Sequence, residues 1–119
     1  MKKSIAAAAA AFAFIAPAFA AGMDDMVGNW KWTDYTIACA KGGDNGMSCK
    51  VTGGPKNVGM EMVRSKLEPK DGAFVGKIAH PATGDIYNTK MTMKDANNWS
   101  MDGCTDKGVC AKGDFARVK

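Results

Sequence analysis

The chain has 119 residues and a formal charge of +4, and its lysines from Lys31 onward are scattered singly along the sequence. That pattern excludes the clustered basic face that a nucleic-acid interface needs and reads as a solvated surface. Its four cysteines, none in Cys-x-x-Cys spacing, argue against a thiolate metal centre or a redox pair and for structural disulfides.

At the N-terminus, Lys2 and Lys3 precede an apolar run, Ile5–Ala16, that is too short to span a bilayer comfortably. Ala18-Phe19-Ala20 then supplies a small-x-small cleavage site. Residues 1–20 are therefore predicted to be a secretory signal peptide, and residues 21–119 a single exported domain, periplasmic or secreted. Cleavage leaves 99 residues and removes two lysines, lowering the formal charge to about +2. No lipobox-type cysteine follows, and no later segment is apolar enough to span a membrane. A domain this small buries a limited fraction of its surface, so covalent staples matter. Four cysteines allow three connectivities, and sequence alone does not choose among them. Proximity favours Cys39–Cys49 and Cys104–Cys110, each closing a short loop and contributing roughly 2–3 kcal/mol.

Taken in order, Met23–Val27 reads as a single helical turn. Gly28–Thr33 alternates, placing Trp30 and Trp32 on one strand face. Tyr35–Cys39 is a second strand, Lys41–Gly46 a turn cluster, and Ser48–Thr52 a returning strand, so Cys39 and Cys49 lie on the two arms of one hairpin. After the loop Gly53–Asn57, Val58–Leu67 is ambiguous. Met60, Met62 and Arg64 share an alternating face, whereas Met60, Val63 and Leu67 share a helical one; the reading here is a strand that loses regularity near Ser65. Glu68–Gly72 is a turn ending in the Asp-Gly hairpin signal, and Ala73–Ala79 is a strand. His80–Asp85 is a turn. Ile86–Lys94 alternates with Tyr87, Thr89, Met91 and Met93 on one side. Asp95–Asn98 turns, Trp99–Cys104 is a strand, Thr105–Gly108 turns, and Asp114–Val118 is the last strand.

About eight short strands with frequent turn signals and no long helical pattern predict an all-β antiparallel meander. Such a meander closes into a small barrel, which removes its exposed edges, or forms a sandwich.

The run Gly76-x-Ile78-x-x-Pro81-x-x-Gly84-x-x-Tyr87, followed by Gly103-Cys104, Gly108-x-Cys110 and the closing Asp114–Val118, resembles the bacterial exported family called domain of unknown function 2147. Gly28-x-Trp30 is similar to that family's opening, and Cys39 and Cys49 to a cysteine pair in the first hairpin of some members. Asn57 and Arg64 resemble its central Asn and Arg, and Phe115 stands where the family usually carries Trp. The resemblance implies a lipocalin-like up-and-down barrel, disulfide-stapled, of a kind that often holds a small apolar molecule. It implies no particular activity. The chain is short between Val51 and Ala73, which leaves less interior for a ligand.

No catalytic constellation stands out. His80, the one histidine, precedes a proline in a turn, and nothing in the sequence places a nucleophile beside it. The aspartates (Asp24, Asp25, Asp71, Asp85, Asp95, Asp102, Asp106) fall at predicted turns and termini, where Asp is expected on conformational grounds. Asp44-Asn45-Gly46 lacks the downstream Glu of a calcium loop. The nine methionines are the compositional oddity. Thioethers fill irregular cores, line adaptable cavities, or bind soft ions such as Cu(I), in that order of preference here. No cofactor is expected.

The functional expectation is a non-enzymatic binding or carrier module for an apolar ligand. Its pocket would be lined by Trp30, Trp32, Met60, Met62, Met91, Met93 and Trp99, with Asn57, Arg64 or Tyr87 fixing orientation. The alternative is an envelope interaction module with a filled core, working through the glycine-rich loops Lys41–Gly46 and Gly53–Gly59. Interior volume separates the two, and Val51–Ala73 is the stretch expected to carry function.

Overall fold

The structure, a computed structural model, describes residues 22–118. The expected signal peptide lies outside them. After a 3-10 turn at Met23–Met26, eight strands follow: β1 Gly28–Trp32, β2 Tyr35–Lys41, β3 Met47–Gly53, β4 Glu68–Lys70, β5 Ala73–Ala79, β6 Ile86–Asp95, β7 Asn98–Cys104 and β8 Cys110–Arg117. All pairings are antiparallel, and the sheet order is β3-β2-β1-β8-β7-β6-β5-β4. Every neighbouring pair is consecutive in sequence except β1–β8, which joins the chain's two ends. The sheet curls into a half-barrel whose open edges are β3 and, past the three-residue β4, the Gly76–Ala79 half of β5; residues 54–67 run from β3 to β4.

Alternation sets the faces. Tyr35, Ile37 and Cys39 on β2, Met47, Cys49 and Val51 on β3, and Thr89, Met91 and Met93 on β6 all turn inward and are buried. Asp71 and Gly72, both at positive φ (52° and 80°), form the two-residue turn between β4 and β5. Paired positive φ angles match the twist of a hairpin, and the Asp-Gly signal was there in the sequence. The two disulfides are Cys39–Cys49 and Cys104–Cys110, each joining directly opposed residues of a hairpin. The first faces the core; the second lies on the exposed tip of the β7–β8 hairpin.

Two boundaries differ from the sequence reading. Glu68–Lys70 pairs with β5 as a strand, although Glu68–Gly72 reads as a turn, because the hairpin partner Ala73–Val75 supplies the pairing that local propensity does not. The last strand starts at Cys110, four residues earlier than expected, because the disulfide places Cys110 opposite Cys104 at the root of the turn.

The larger difference is Val58–Leu67, which is not a regular strand. This segment closes the half-barrel by serving both edges in turn. On the β3 side, Val51 N–H donates to Met60 O at 3.0 Å, Gly59 N–H to Val51 O at 2.7 Å, and Met62 N–H to Cys49 O at 2.8 Å. On the β5 side, Ala79 N–H donates to Met62 O at 2.7 Å and Arg64 N–H to Lys77 O at 2.8 Å. Met62 therefore bonds β3 through its N–H and β5 through its carbonyl. A further edge donor of β3, Cys49 N–H, donates to Glu61 Oε2 at 2.8 Å; the same oxygen accepts from Val63 N–H at 3.0 Å, and Oε1 accepts from the Ser48 hydroxyl. Ser65 Oγ accepts from Lys77 N–H at 2.8 Å. Side chains thus satisfy edge groups that the backbone of the segment does not reach.

At the end of the barrel that holds the 3-10 turn, Arg117 ties the chain's start to its finish. Its guanidinium lies 4.3 Å from the centroid of the Trp30 ring and donates to Asp25 O, Val27 O and Ala96 O at 2.8–3.0 Å. Gly28, at φ 137°, passes so close to Nη1 that a Cβ there would collide with it. Trp30 in turn donates from Nε1 to Met26 O at 2.8 Å, fixing the 3-10 turn.

Two outcomes follow from this architecture. Glu61→Ala leaves two backbone N–H groups and a hydroxyl without their acceptor and should cost about 2 kcal/mol, with Glu61→Gln costing less. A urea midpoint unchanged in Glu61→Ala would show that the carboxylate does not hold the seam. In stepwise reduction followed by alkylation and mass mapping, the exposed Cys104–Cys110 bridge should be labelled well before the core-facing Cys39–Cys49 bridge; equal rates would contradict the burial of the latter.

Candidate functional site

The interior is filled. Trp30, Met91, Met93 and Trp99 are all core residues with under a tenth of their surface exposed. Trp99 stacks on Phe115 with ring centroids 4.1 Å apart and receives the edge of Trp30 at 5.8 Å. These four residues were expected to line a ligand pocket, but close packing at the barrel's centre leaves them no free face. Met26, Met62, Met91 and Met101 border an internal gap there that holds only about 10 Å³. The methionines therefore act chiefly as adaptable filling, as thioethers do in irregular cores. Among the described residues, no group of three or more His, Cys, Asp or Glu could hold a metal ion. The Nε1–H of Trp99 is buried without a hydrogen-bond partner among the described residues, a cost set against the stacking around it.

A concave site does form at one end of the barrel, where β1 ends, β6 and β8 begin, and the β5–β6 loop crosses. Its walls are the rings of Trp32, His80, Tyr87 and Phe115, with Met62, Ile78 and Met101 below. The cleft is open on one side and its sheltered space is about 30 Å³. Trp32 is its organising residue. The indole stacks on Tyr35 at 5.9 Å and on Phe115 at 5.8 Å, and meets the His80 ring edge-on at 5.2 Å. His80 then contacts Tyr87 at 5.5 Å. Trp32 can lie this way because Gly113 is beneath it: a Cβ at residue 113 would come within 2.6 Å of the indole nitrogen. Gly103 opens the floor in the same manner, since a Cβ there would meet Asn88 O at 2.6 Å and Thr89 Oγ1 at 2.8 Å.

The loop that carries His80 is built tightly. His80 N–H donates to Asp85 O at 2.8 Å and Gly84 N–H to His80 O at 2.7 Å. Ala82 N–H donates to His80 Nδ1 at 3.0 Å, so the neutral ring carries its proton on Nε2. Burial against the aromatic wall lowers the His80 pKa below its ordinary value, while the nearby Asp85 carboxylate pulls weakly the other way. Asn57, itself at positive φ, donates from Nδ2 to Pro81 O at 2.7 Å and so anchors this loop from the neighbouring one.

Of the ten candidate binding residues, the cleft contains Trp32, Met62 and Tyr87. Asn57 supports its wall from behind. Arg64 is exposed on the seam, where Nε donates to Glu61 O at 2.8 Å, and Met60 packs partly buried against the core. Neither lines the cleft. Sequence reasoning passed over His80, Phe115 and Met101. The only local hint for His80 was a ring placed before a proline in a turn. The expectation that Val51–Ala73 carries the functional surface is not met at this site: Met62 alone comes from that stretch, and all other lining residues but Trp32 follow Gly76.

Comparison with protein families, with curated proteins and with solved structures gave no match to this chain.

The depressed His80 pKa has a testable sign. Its contribution to stability is fully present above the unfolded value near 6.5 and declines as the pH falls through 6.5 toward the folded value, because the unfolded chain takes up the proton first. An NMR titration of the His80 ring protons should therefore give a midpoint below 6.5; a midpoint at or above it would mean that the ring is not sheltered in the cleft.

Proposed function

We propose that this protein is an exported, non-enzymatic recognition module that takes a small apolar molecule end-on in the cleft between Trp32, His80, Tyr87 and Phe115. The observation that carries the reading is a concave site walled by four aromatic rings in a molecule whose central gap is only about 10 Å³. Aromatic walls supply large apolar area with few rotatable bonds, which suits capture of a small ligand. A carrier that engulfs its cargo is disfavoured, because the central gap among the described residues holds only about 10 Å³. An enzyme is disfavoured too. The hydroxyl that lines the floor, Thr89 Oγ1, donates to Tyr87 O at 2.9 Å, so it is not held as a nucleophile for His80. Export rests on the pattern of residues 1–20, and membership in the family resembled rests on the Gly76–Val118 motif; both belong to this proposal. None of the helices among the described residues is long and apolar enough to cross a membrane.

The filled core also favours a second reading, an envelope interaction module. Val58 in the Gly53–Gly59 loop is 60% exposed and would be its contact point.

Titration with a panel of single-ring apolar compounds, followed by NMR, separates the two. Binding in the cleft should shift the Trp32 indole and His80 ring signals and leave the Trp30 indole nearly still. No shift at Trp32 or His80 for any compound would overturn the first reading. A photo-crosslinker at Val58 that traps one dominant partner in cells would support the second.

A further inference from the structure

The turn between β2 and β3 is open and rich in glycine. Gly42, Gly43 and Gly46 all take positive φ (131°, 76° and 79°), and a Cβ on any of them would meet no atom within 4 Å. Asp44, exposed, and Asn45, half-buried, lie between them. Gly42 N–H donates to Gly46 O at 3.1 Å, and Gly46 N–H to Gly43 O at 3.3 Å. The second bond is long for an amide, so little holds the Gly46 nitrogen in place.

Asn45 is the one asparagine in the chain that precedes a glycine. Asn29, Asn88 and Asn98 lie in paired strands and precede Trp30, Thr89 and Trp99. Asn57 precedes the branched Val58, and the carbonyl of Asn97 is held by Arg117 N–H at 2.8 Å. The Asn45 amide also joins two parts of the barrel. Its Nδ2 donates to Val63 O at 3.4 Å, linking the β2–β3 turn to the segment that closes the seam. Among the described residues no other donor reaches Val63 O, and Val63 itself is buried in the core.

We propose that Asn45 is a site of spontaneous deamidation, with water as the co-reactant, and that the reaction cuts this link between the turn and the seam. The Gly46 amide nitrogen, having lost its proton to hydroxide, attacks Asn45 Cγ. The Cγ–Nδ2 bond breaks, and Nδ2 takes a proton from water and leaves as ammonia, giving a five-membered imide. Water then opens the ring. Cleavage at Cγ leaves aspartate; cleavage at the main-chain carbonyl carbon leaves isoaspartate, in which the chain runs through Cγ. No electrons change hands. Gly46 has no Cβ to obstruct the attack, and the open space around the three glycines lets the turn rearrange to reach it. Either product puts a carboxylate, which can only accept, where an amide donated, so two acceptors face each other at Val63 O beside the charge of Asp44. Isoaspartate also lengthens the main chain just ahead of the Lys41–Met47 pair that closes the hairpin.

The test ages the full exported protein at mildly alkaline pH and follows it by peptide mapping. The peptide carrying Asn45 should gain one mass unit about tenfold faster than those carrying Asn57 or Asn97, the other asparagines outside strands. Equal or slower conversion at Asn45 would overturn the site. The deamidated protein carries one more negative charge and is separated by ion exchange. In urea its folding equilibrium constant should be about fivefold lower than that of fresh protein, and its Val63 and Arg64 amide signals should shift. Unchanged stability together with unchanged signals would overturn the link to the seam. Asn45→Gln keeps an amide but would have to form a slower six-membered ring, so it should stay unmodified; conversion at the original rate would overturn the imide route. Asn45→Asp should show the loss of stability without ageing, and a variant as stable as the original protein would again overturn the link.

Discussion

The structure depends on one closure. An open eight-stranded sheet of this length would present two edges with unpaired backbone groups, each an invitation to aggregation. Here the chain between β3 and β4 is spent on joining β3 to the half of β5 that β4 leaves uncovered. Met62 gives its N–H to Cys49 and its carbonyl to Ala79, so a single peptide segment holds both edges at once. Where geometry prevents a backbone acceptor from reaching Cys49 N–H, the Glu61 carboxylate stands in for it. A charged acceptor makes the stronger hydrogen bond, and this one serves three donors. Closing the seam with one irregular segment is an alternative to adding a ninth strand, and it is available to a chain too short to supply one.

That closure fixes what the interior can be. A seam drawn shut by 59–64 brings Met62, Val63 and Leu67 into the core beside Ile78 and Met91, and the remaining volume is taken by the aromatic stack Trp32–Phe115–Trp99 with Trp30 across its end. Arg117 seals the far end over Trp30 while holding three carbonyls of the N-terminal segment and the β6–β7 turn. The stack therefore has one finished end and one unfinished one. At the unfinished end the outermost indole, Trp32, meets His80 and Tyr87 rather than another layer of core, and that is where concavity survives.

The hairpins were legible because their signals are local. Asp71-Gly72 carries its own turn preference, and Cys39 and Cys49 sit at a separation that a hairpin brings face to face. The alternation Tyr87, Thr89, Met91, Met93 announces one buried face without reference to anything distant. Val58–Leu67 was not legible, for a physical reason. A strand paired to one neighbour keeps period 2, and a helix keeps 3.6, but this segment changes partner partway along. Met62 and Val63 are both buried, next to each other, because the partner changes here: Glu61 bridges Lys50 on β3 and Val63 bridges Ile78 on β5. No single period describes such a run, which is why it matched two templates partially and neither fully. The cleft was harder still. Trp30 and Trp32 share a face, as their spacing requires, yet one is sealed and the other half-buried, and only the position of the barrel's end distinguishes them. His80 gave nothing beyond its turn, because its neighbours Trp32 and Tyr87 come from strands that only the closed sheet places beside it.

Closure and site are consequently one problem. Met62 contributes its backbone to the seam and its side chain to the cleft floor, and Asn57, at the entrance to the same segment, holds Pro81 in the loop that carries His80. The stretch expected to bear a functional surface does not present one; it positions the surface that others present. Asn57 and Arg64, expected to touch a ligand, instead bond to Pro81 O and Glu61 O. A change in how the seam sits would therefore be felt at the cleft through Met62 below and Pro81 beside it, with Trp32 held on its other flank by Tyr35 and Phe115. Rigidity at the stacked side and dependence on the seam at the other give the cleft a fixed aromatic wall facing a wall that the chain's least regular segment keeps in place.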